Sequence, residues 1–202
     1  MSTSEVRATH FDVMFAKDAD PWRTRTRWYE RRKRALMLAM LPRERFASAF
    51  EPGCGAGETT AALALRCDRL LASDASAHAV EHARKRTAWL RNIRIEQGRV
   101  PEAWPPARFD LIVVAELGYY LDATALECLA QACAGSLTDQ GCLLACHWRR
   151  GAGDMSSPAP TVHQVLGVSC AGMQMAHYED DDLLLDVWCR DPHSVAQREG
   201  LA

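Results

Sequence analysis

The 202 residues carry a formal net charge of −2 and are 48% hydrophobic and 25% charged, an ordinary balance for a globular protein with one full core. That balance makes no electrostatic case for a nucleic-acid partner, and no run approaches the ~18 apolar residues of a membrane span. Residues 1–7 lack the apolar stretch of a secretory signal, so a cytoplasmic protein is expected. The eight cysteines contain no C-x-x-C pair and most lie in apolar stretches; reduced, structural thiols and no metal centre are expected.

The first section, residues 1–45, is lopsided in charge. Between Trp22 and Arg45 stand eight arginines and one lysine against only Glu30 and Glu44. Residues 28–40 have helix-forming composition and stop at Leu41-Pro42. Trp28, Ala35, Leu36 and Ala39 fall at helical spacing as an apolar stripe, widened by Leu38 and Met40. The basic residues read either as a solvated helix face or as an anion-facing cap over a ligand site.

From Phe46 the chain alternates strand and helix. Residues 46–50 form a buried strand, 58–65 a helix, 69–74 a second strand, and 77–90 a helix with Ser76 available as its N-cap. Residues 93–97 alternate as a strand that Gly98 ends, and Pro101, Pro105 and Pro106 leave room for no more than a short helical turn. Residues 109–115, apolar and β-branched in the middle, are the strongest strand, suited to a parallel sheet covered on both faces. Asp122 can cap a helix to about Leu137, residues 138–141 make a turn, and 142–147 a fifth strand. Residues 151–160 read as a loop and 161–166 as a short helix. Residues 174–178 and 183–188 flank an acidic turn, 179–182, and should pair antiparallel.

This rhythm predicts an α/β fold: a Rossmann-like, doubly wound, seven-stranded, mostly parallel sheet closed by an antiparallel hairpin. A single domain is expected over residues 1–202, with a helical cap or lid (1–45), a cofactor-binding core (46–150) and a closing helix and hairpin (151–202).

At the end of the first strand stands Glu51-Pro52-Gly53-Cys54-Gly55-Ala56-Gly57. A strand, a glycine-rich elbow and a helix N-terminus make a nucleotide-binding turn, because glycine tolerates positive φ and lets a ligand approach the main chain. Asp74 closes the next strand, where a carboxylate can accept two ribose hydroxyls. Those two features fit nicotinamide or adenosylmethionine alike. No second dinucleotide half is evident, the chain closes with a hairpin, and Glu116 with Tyr119 and Tyr120 follows the fourth strand beside the first. These observations favour S-adenosyl-L-methionine.

The sequence resembles the small class I, adenosylmethionine-dependent methyltransferases, and most closely the nodulation protein S group of N-methyltransferases. The resemblance rests on Phe11-Asp12, Asp20-Pro21-Trp22, Trp28-Tyr29-Glu30-Arg31-Arg32-Lys33, the glycine turn, and Glu116-Leu117-Gly118-Tyr119-Tyr120-Leu121. It implies that Glu51, Gly53, Cys54, Gly55 and Gly57 line the methionine and ribose part of the cofactor. Asp74 would hold the ribose, Ala75 would pack beside the adenine, and Arg99 and Val100 would close over it. Arg99 departs from the acid that many methyltransferases carry there.

Methyl transfer from a sulfonium is an in-line displacement that needs an oriented, unprotonated nucleophile and exclusion of water. Glu116 is the candidate to orient or deprotonate an acceptor amine, or else it binds cofactor or caps a turn. Tyr119 could contact the sulfonium or a sugar ring, or pack in the core. His147, ending the fifth strand, is a candidate base or a structural histidine. Trp22 reads as part of a lid, and Arg31 as the partner of the methionine carboxylate, with Arg27, Arg32 and Arg34 competing. The expected reaction is N-methylation of a small polar acceptor such as a deacetylated amino sugar or chitooligosaccharide. O-methylation, a nicotinamide-dependent reductase and a non-catalytic nucleotide-binding protein are the alternatives.

Overall fold

A computed structural model describes residues 3–151 and 155–201, with side chains from Thr9 onward. Seven strands form one sheet in the order β3-β2-β1-β4-β5-β7-β6. They are β1 (Phe46–Pro52), β2 (Cys67–Asp74), β3 (Ile93–Gln97), β4 (Phe109–Ala115), β5 (Leu137–Trp148), β6 (Met173–Glu179) and β7 (Leu183–Cys189). The first five run parallel, and β7 pairs antiparallel with both β5 and β6. Strand order reverses between β1 and β4, the place where open α/β sheets form a ligand crevice beyond the strand ends.

The helices are α1 (Thr3–Lys17), α2 (Trp28–Met40), α3 (Glu58–Ala64), α4 (Ala77–Thr87), α5 (Ala123–Ser136), α6 (Ala159–Cys170) and α7 (Val195–Arg198). Successive β4 residues serve opposite faces, as strand geometry requires. Leu111 and Val113 join Met37, Leu63 and Leu185 on one side, while Ile112 and Val114 join Leu126, Leu129 and Leu166 on the other. Full burial of each such side chain stabilises the fold by roughly 1.5–3 kcal/mol. Ser76 and Asp122 cap α4 and α5 through their side chains, each accepting a backbone N–H three residues on.

Four expectations change. The first concerns α2, whose bounds match but whose inward face only partly does. Leu36, Leu38 and Met40 pack against the core, but Trp28 is 69% exposed, Ala35 and Ala39 are exposed too, and Glu30 and Lys33 are buried with Met37, because this helix also borders a cavity. Next, residues 138–141 are not a separate turn. They form an irregularity within β5, where pairing to β4 jumps from Phe109–Leu137 to Leu111–Cys142. The helix placed at 161–166 runs instead from Ala159 to Cys170, because Pro160 sits in the first turn, where a missing N–H costs nothing. Finally, the β5–β7 register sets Cys142 opposite Cys189 with Cα atoms 4.2 Å apart, and their sulfurs are joined as a disulfide. The other six cysteines are free thiols. Of the expected loop 151–160, residues 152–154 lie outside the described residues.

Candidate active site

Beyond the carboxyl ends of β1 and β4 lies a cavity of about 640 Å³, roofed by the N-terminal section. Its floor is the glycine turn. Gly53 and Gly55 adopt φ of +73° and +52°, conformations that disfavour a side chain. Asp74 ties the turn to the next strand, one carboxylate oxygen accepting Gly55 N–H and the other Ser76 N–H, both at 2.9 Å. Burial raises the Asp74 carboxyl above its ordinary range, against the pull of those backbone donors.

Glu51 is 3% exposed, and its Oε2 has no hydrogen-bond partner among the described residues. Burial, reinforced by the Asp74 charge, pushes its carboxyl up to about 8. An unpaired buried carboxyl facing a cavity is costly unless a ligand supplies the missing donor.

The roof is held by aromatic and ionic contacts. Trp22 packs edge-on against Phe15 with ring centroids 5.5 Å apart, and Phe11 reaches Tyr120 at 4.9 Å. Asp12 accepts the Ser76 hydroxyl at 2.7 Å, fastening α1 to the start of α4. The Asp20 carboxylate accepts Thr24 N–H and the Thr24 hydroxyl, both at 2.7 Å, and so shapes the turn that carries Trp22. Arg25 and Arg86 pair with the buried Glu58 in the first turn of α3, binding the roof to the glycine turn. Burial opposes the Glu58 charge, but these two arginines hold its carboxyl below its usual range.

At the other end Glu116 departs from β4 with φ +53°, strained for a residue other than glycine. Its Oε1 accepts Lys33 Nζ at 2.8 Å, and its Oε2 accepts the Tyr119 hydroxyl and, at 3.3 Å, Trp148 N–H. Lys33 also meets Glu30 at 2.9 Å and lies 5.4 Å from the Tyr29 ring centre. Burial works against the Lys33 charge, but Glu116 and Glu30 outweigh it and hold the ammonium well above its ordinary pKa. Burial, with the Glu116 charge, drives the Tyr29 and Tyr119 hydroxyls far up, so both remain protonated.

Ten of the residues expected to bind cofactor line this one cavity: Trp22, Glu51, Gly53, Cys54, Gly55, Asp74, Ala75, Arg99, Val100 and Glu116. Tyr119 lines it too. Three expected residues do not. Arg31 is exposed on the outer face of α2 and stacks on Trp28 at 5.8 Å, whereas Arg27, Lys33 and Arg34 face the cavity. Gly57 is the left-handed N-cap of α3, and a Cβ there would stand 2.9 Å from the Ala83 Cα, so this glycine serves helix packing. His147 is wholly buried behind the rim: its Nε2 accepts Gly118 N–H at 3.1 Å and its Nδ1 lies 2.9 Å from His163. Burial, then His163 and Lys33, hold His147 well below the usual histidine range, so it stays neutral and out of reach of the cavity. Glu30 and Lys33 were missed as site residues. Their signal was present in charged residues at i and i+3 on a helix, a spacing that shares one face.

Among the described residues no group of three or more His, Cys, Asp or Glu side chains is placed to hold a metal, and no helix is long and apolar enough to cross a membrane.

A reversing α/β sheet with a glycine turn, an acid at the end of the second strand and an antiparallel closing hairpin defines the class I methyltransferase fold. The family model for Nodulation protein S (NodS) matches residues 12–133, and the chain belongs to that family. It is 42% identical over 103 residues to a Nodulation protein S of Bradyrhizobium diazoefficiens, covering 50% of this chain and 49% of that protein. A Rhizobium tropici Nodulation protein S is 39% identical, with 50% and 43% covered. The chain thus spans about half the length of the curated relatives it matches. Among solved structures, the N-methyltransferase NodS from Bradyrhizobium japonicum WM9, in complex with S-adenosyl-L-homocysteine, superposes with a TM-score of 0.78 at 27% identity, covering 92% of this chain and 98% of that one. A Pseudomonas syringae chain solved as a candidate methyltransferase is 48% identical with a TM-score of 0.73, covering 81% of this chain and all of that one.

Proposed function

We propose that this chain is an S-adenosyl-L-methionine-dependent methyltransferase that methylates an amine on a small polar acceptor, with a deacetylated amino sugar or chitooligosaccharide the first choice. One observation carries the reading: a single cavity joins the glycine turn and the unpaired Glu51 to the Glu30–Lys33–Glu116–Tyr119 chain. The residues present fit the cofactor. Glu51 and Asp74 offer acceptors to its ammonium and ribose hydroxyls, Ala75 and Val100 offer an apolar wall to its base, and Arg27 and Arg34 compete for its carboxylate. When bound, the cofactor supplies an electrophilic methyl on a sulfonium.

The acceptor end is suited to an amine. An ionised carboxylate has about four acceptor positions. Glu116 uses three of them, on Lys33, Tyr119 and Trp148, which leaves one for an acceptor N–H. Two carboxylates around one ammonium, Glu30, Glu116 and Lys33, leave an excess of negative charge that favours an amine over a carboxylate or phosphate acceptor. Glu116 orients the nitrogen and takes its proton as the new bond forms, while the N-terminal section from Phe11 onward serves as the cap that keeps water out. Proximity and orientation provide most of the acceleration, and a positioned base contributes typically 10²–10⁴-fold.

An acceptor screen that follows S-adenosyl-L-homocysteine release tests the reading, with chitosan oligomers and small alcohols as competing arms. Turnover on the amines is expected; turnover on alcohols alone would make this an O-methyltransferase. Calorimetry with adenosylmethionine and NAD supplies the second arm, and tight binding of NAD without the adenosyl ligand would overturn the assignment.

A further inference from the structure

Behind the cavity, four elements bring together a buried polar chain that the proposed reaction does not use directly. Asp186 of β7 faces His163 of α6, with Oδ2 to Nδ1 at 2.6 Å. His163 Nε2 lies 2.9 Å from Nδ1 of His147 on β5. His147 Nε2 then accepts the backbone N–H of Gly118, the first residue of the 3-10 turn (Gly118–Tyr119–Tyr120) that carries Tyr119. All three residues are at most 4% exposed.

The hydrogen positions along this chain follow from a single constraint. A backbone N–H can only donate, so His147 Nε2 is bare and the proton of this neutral ring sits on Nδ1. That proton is donated to His163 Nε2, so the second proton sits on His163 Nδ1 and is donated to Asp186. Asp186 accepts at its other oxygen from Gln174 Nε2 at 2.5 Å and His177 Nδ1 at 2.7 Å. Burial opposes the Asp186 charge, but these donors keep it ionised. Every donor and acceptor in the chain is then matched in one direction only, a fully satisfied network of the kind that specifies one arrangement.

The turn it reaches has little freedom. A Cβ on Gly118 would lie 2.4 Å from Val162 Cγ1 and 3.2 Å from His147 Nε2. The carbonyl of Tyr119 accepts Ser156 N–H at 2.7 Å, and its ring stands edge-on to His147 with centroids 5.2 Å apart. What the turn delivers to the cavity is the Tyr119 hydroxyl on Glu116.

We propose that Asp186, His163 and His147 are positioning residues that fix the Gly118–Tyr119 turn, and through it the direction of the Glu116 carboxylate, for methyl transfer. The proposal rests on the amine-methylation reading for its kinetic consequence and on geometry alone for its tautomers.

The test uses the full chain. Long-range ¹H–¹⁵N spectra of the wild type are expected to show His147 and His163 both neutral and both protonated on Nδ1. Steady-state turnover of chitosan oligomers, followed by S-adenosyl-L-homocysteine release, is then compared for His147→Leu, His147→Gln and Asp186→Leu, each first shown folded by circular dichroism. His147→Leu and Asp186→Leu are expected to lose ~10–100-fold in kcat, the scale of a small misplacement of a reacting group, with KM for the methyl donor within about threefold. His147→Gln, whose Oε1 can replace the lost acceptor, is expected to recover most of that rate. An Nε2-protonated His147 overturns the proposal, as does wild-type kcat in folded His147→Leu or a Gln variant no better than Leu. If the wild type turns over no amine, the functional reading fails, and the tautomer spectrum alone decides whether the Asp186–His163–His147 chain holds the Gly118 turn as described.

Discussion

The two ends of the cavity are built differently. The donor end, as proposed, is made of short consecutive stretches, residues 51–55, 74–75 and 98–100, each at the carboxyl end of a parallel strand. Its geometry comes from glycine backbone freedom and the strand-end position. The acceptor end is assembled from residues far apart in the chain: Glu30 and Lys33 on α2, Glu116 and Tyr119 after β4, and Trp148 at the end of β5. It depends on buried charge and on the polar chain behind it. The donor end is thus held by conformation and the acceptor end by electrostatics, and substitutions should separate the two.

The largest effect is expected at Lys33. Lys33→Met leaves Glu30 and Glu116 facing each other without their shared cation, and removing one partner of a buried ion pair costs about 3–5 kcal/mol. Thermal melts should show that loss and should recover part of it in the double variant with Glu30→Gln; an additive double variant would uncouple the pair.

Gly57→Ala acts through conformation alone, at the α3–α4 packing beside the donor end. A left-handed residue and a Cβ 2.9 Å from Ala83 together should cost about 2–3 kcal/mol, with the acceptor KM unchanged. Denaturant midpoints check this, and a stable Ala variant would show that α3 and α4 can separate at no cost.

Glu51→Gln should act with the opposite sign. The unfolded carboxyl ionises near 4.5, whereas the folded one keeps its proton to about 8. Between those values the native state binds more protons than the unfolded state, so wild-type stability from this group is present at low pH and lost as pH rises to about 8. The amide removes that dependence. Melts at pH about 5 and about 8 should show the variant gaining about 1–2 kcal/mol over wild type at the higher pH, while donor affinity weakens. An unchanged pH slope would mean that Glu51 is ionised in the fold.

Arg31→Ala should do the least: an exposed side chain stacked on an exposed Trp28 is worth within about 0.5 kcal/mol, with donor affinity as in the wild type. Calorimetry showing a tenfold loss would return Arg31 to the cofactor carboxylate.

The same contrast explains what the sequence disclosed. Strands β3 and β4 and the helix caps at Ser76 and Asp122 were legible because alternation, β-branching and side-chain caps act within a few residues. The glycine turn and Asp74 were legible for the same reason. The inward face of α2 was partly misread because apolar periodicity assumes a dry core, and this helix turns Glu30 and Lys33 toward a cavity. Arg31 was preferred to its neighbours with nothing local to decide which side of the helix met the ligand. The Cys142–Cys189 pairing and the His147–His163–Asp186 chain depend on strand register and helix docking across long separations. No short-range pattern carries them. His147 did stand at a strand end on the ligand side, but its burial was decided by α6, whose length composition did not reveal.

In the proposed reaction Glu116 serves the acceptor and not the donor. The most direct test is Glu116→Gln, with adenosylmethionine affinity measured by calorimetry and turnover of the amine acceptor measured on the same preparation. Donor affinity within about threefold of wild type and kcat reduced ~10²-fold or more are expected. Wild-type kcat, or a loss of donor affinity as large as the loss of rate, would contradict it.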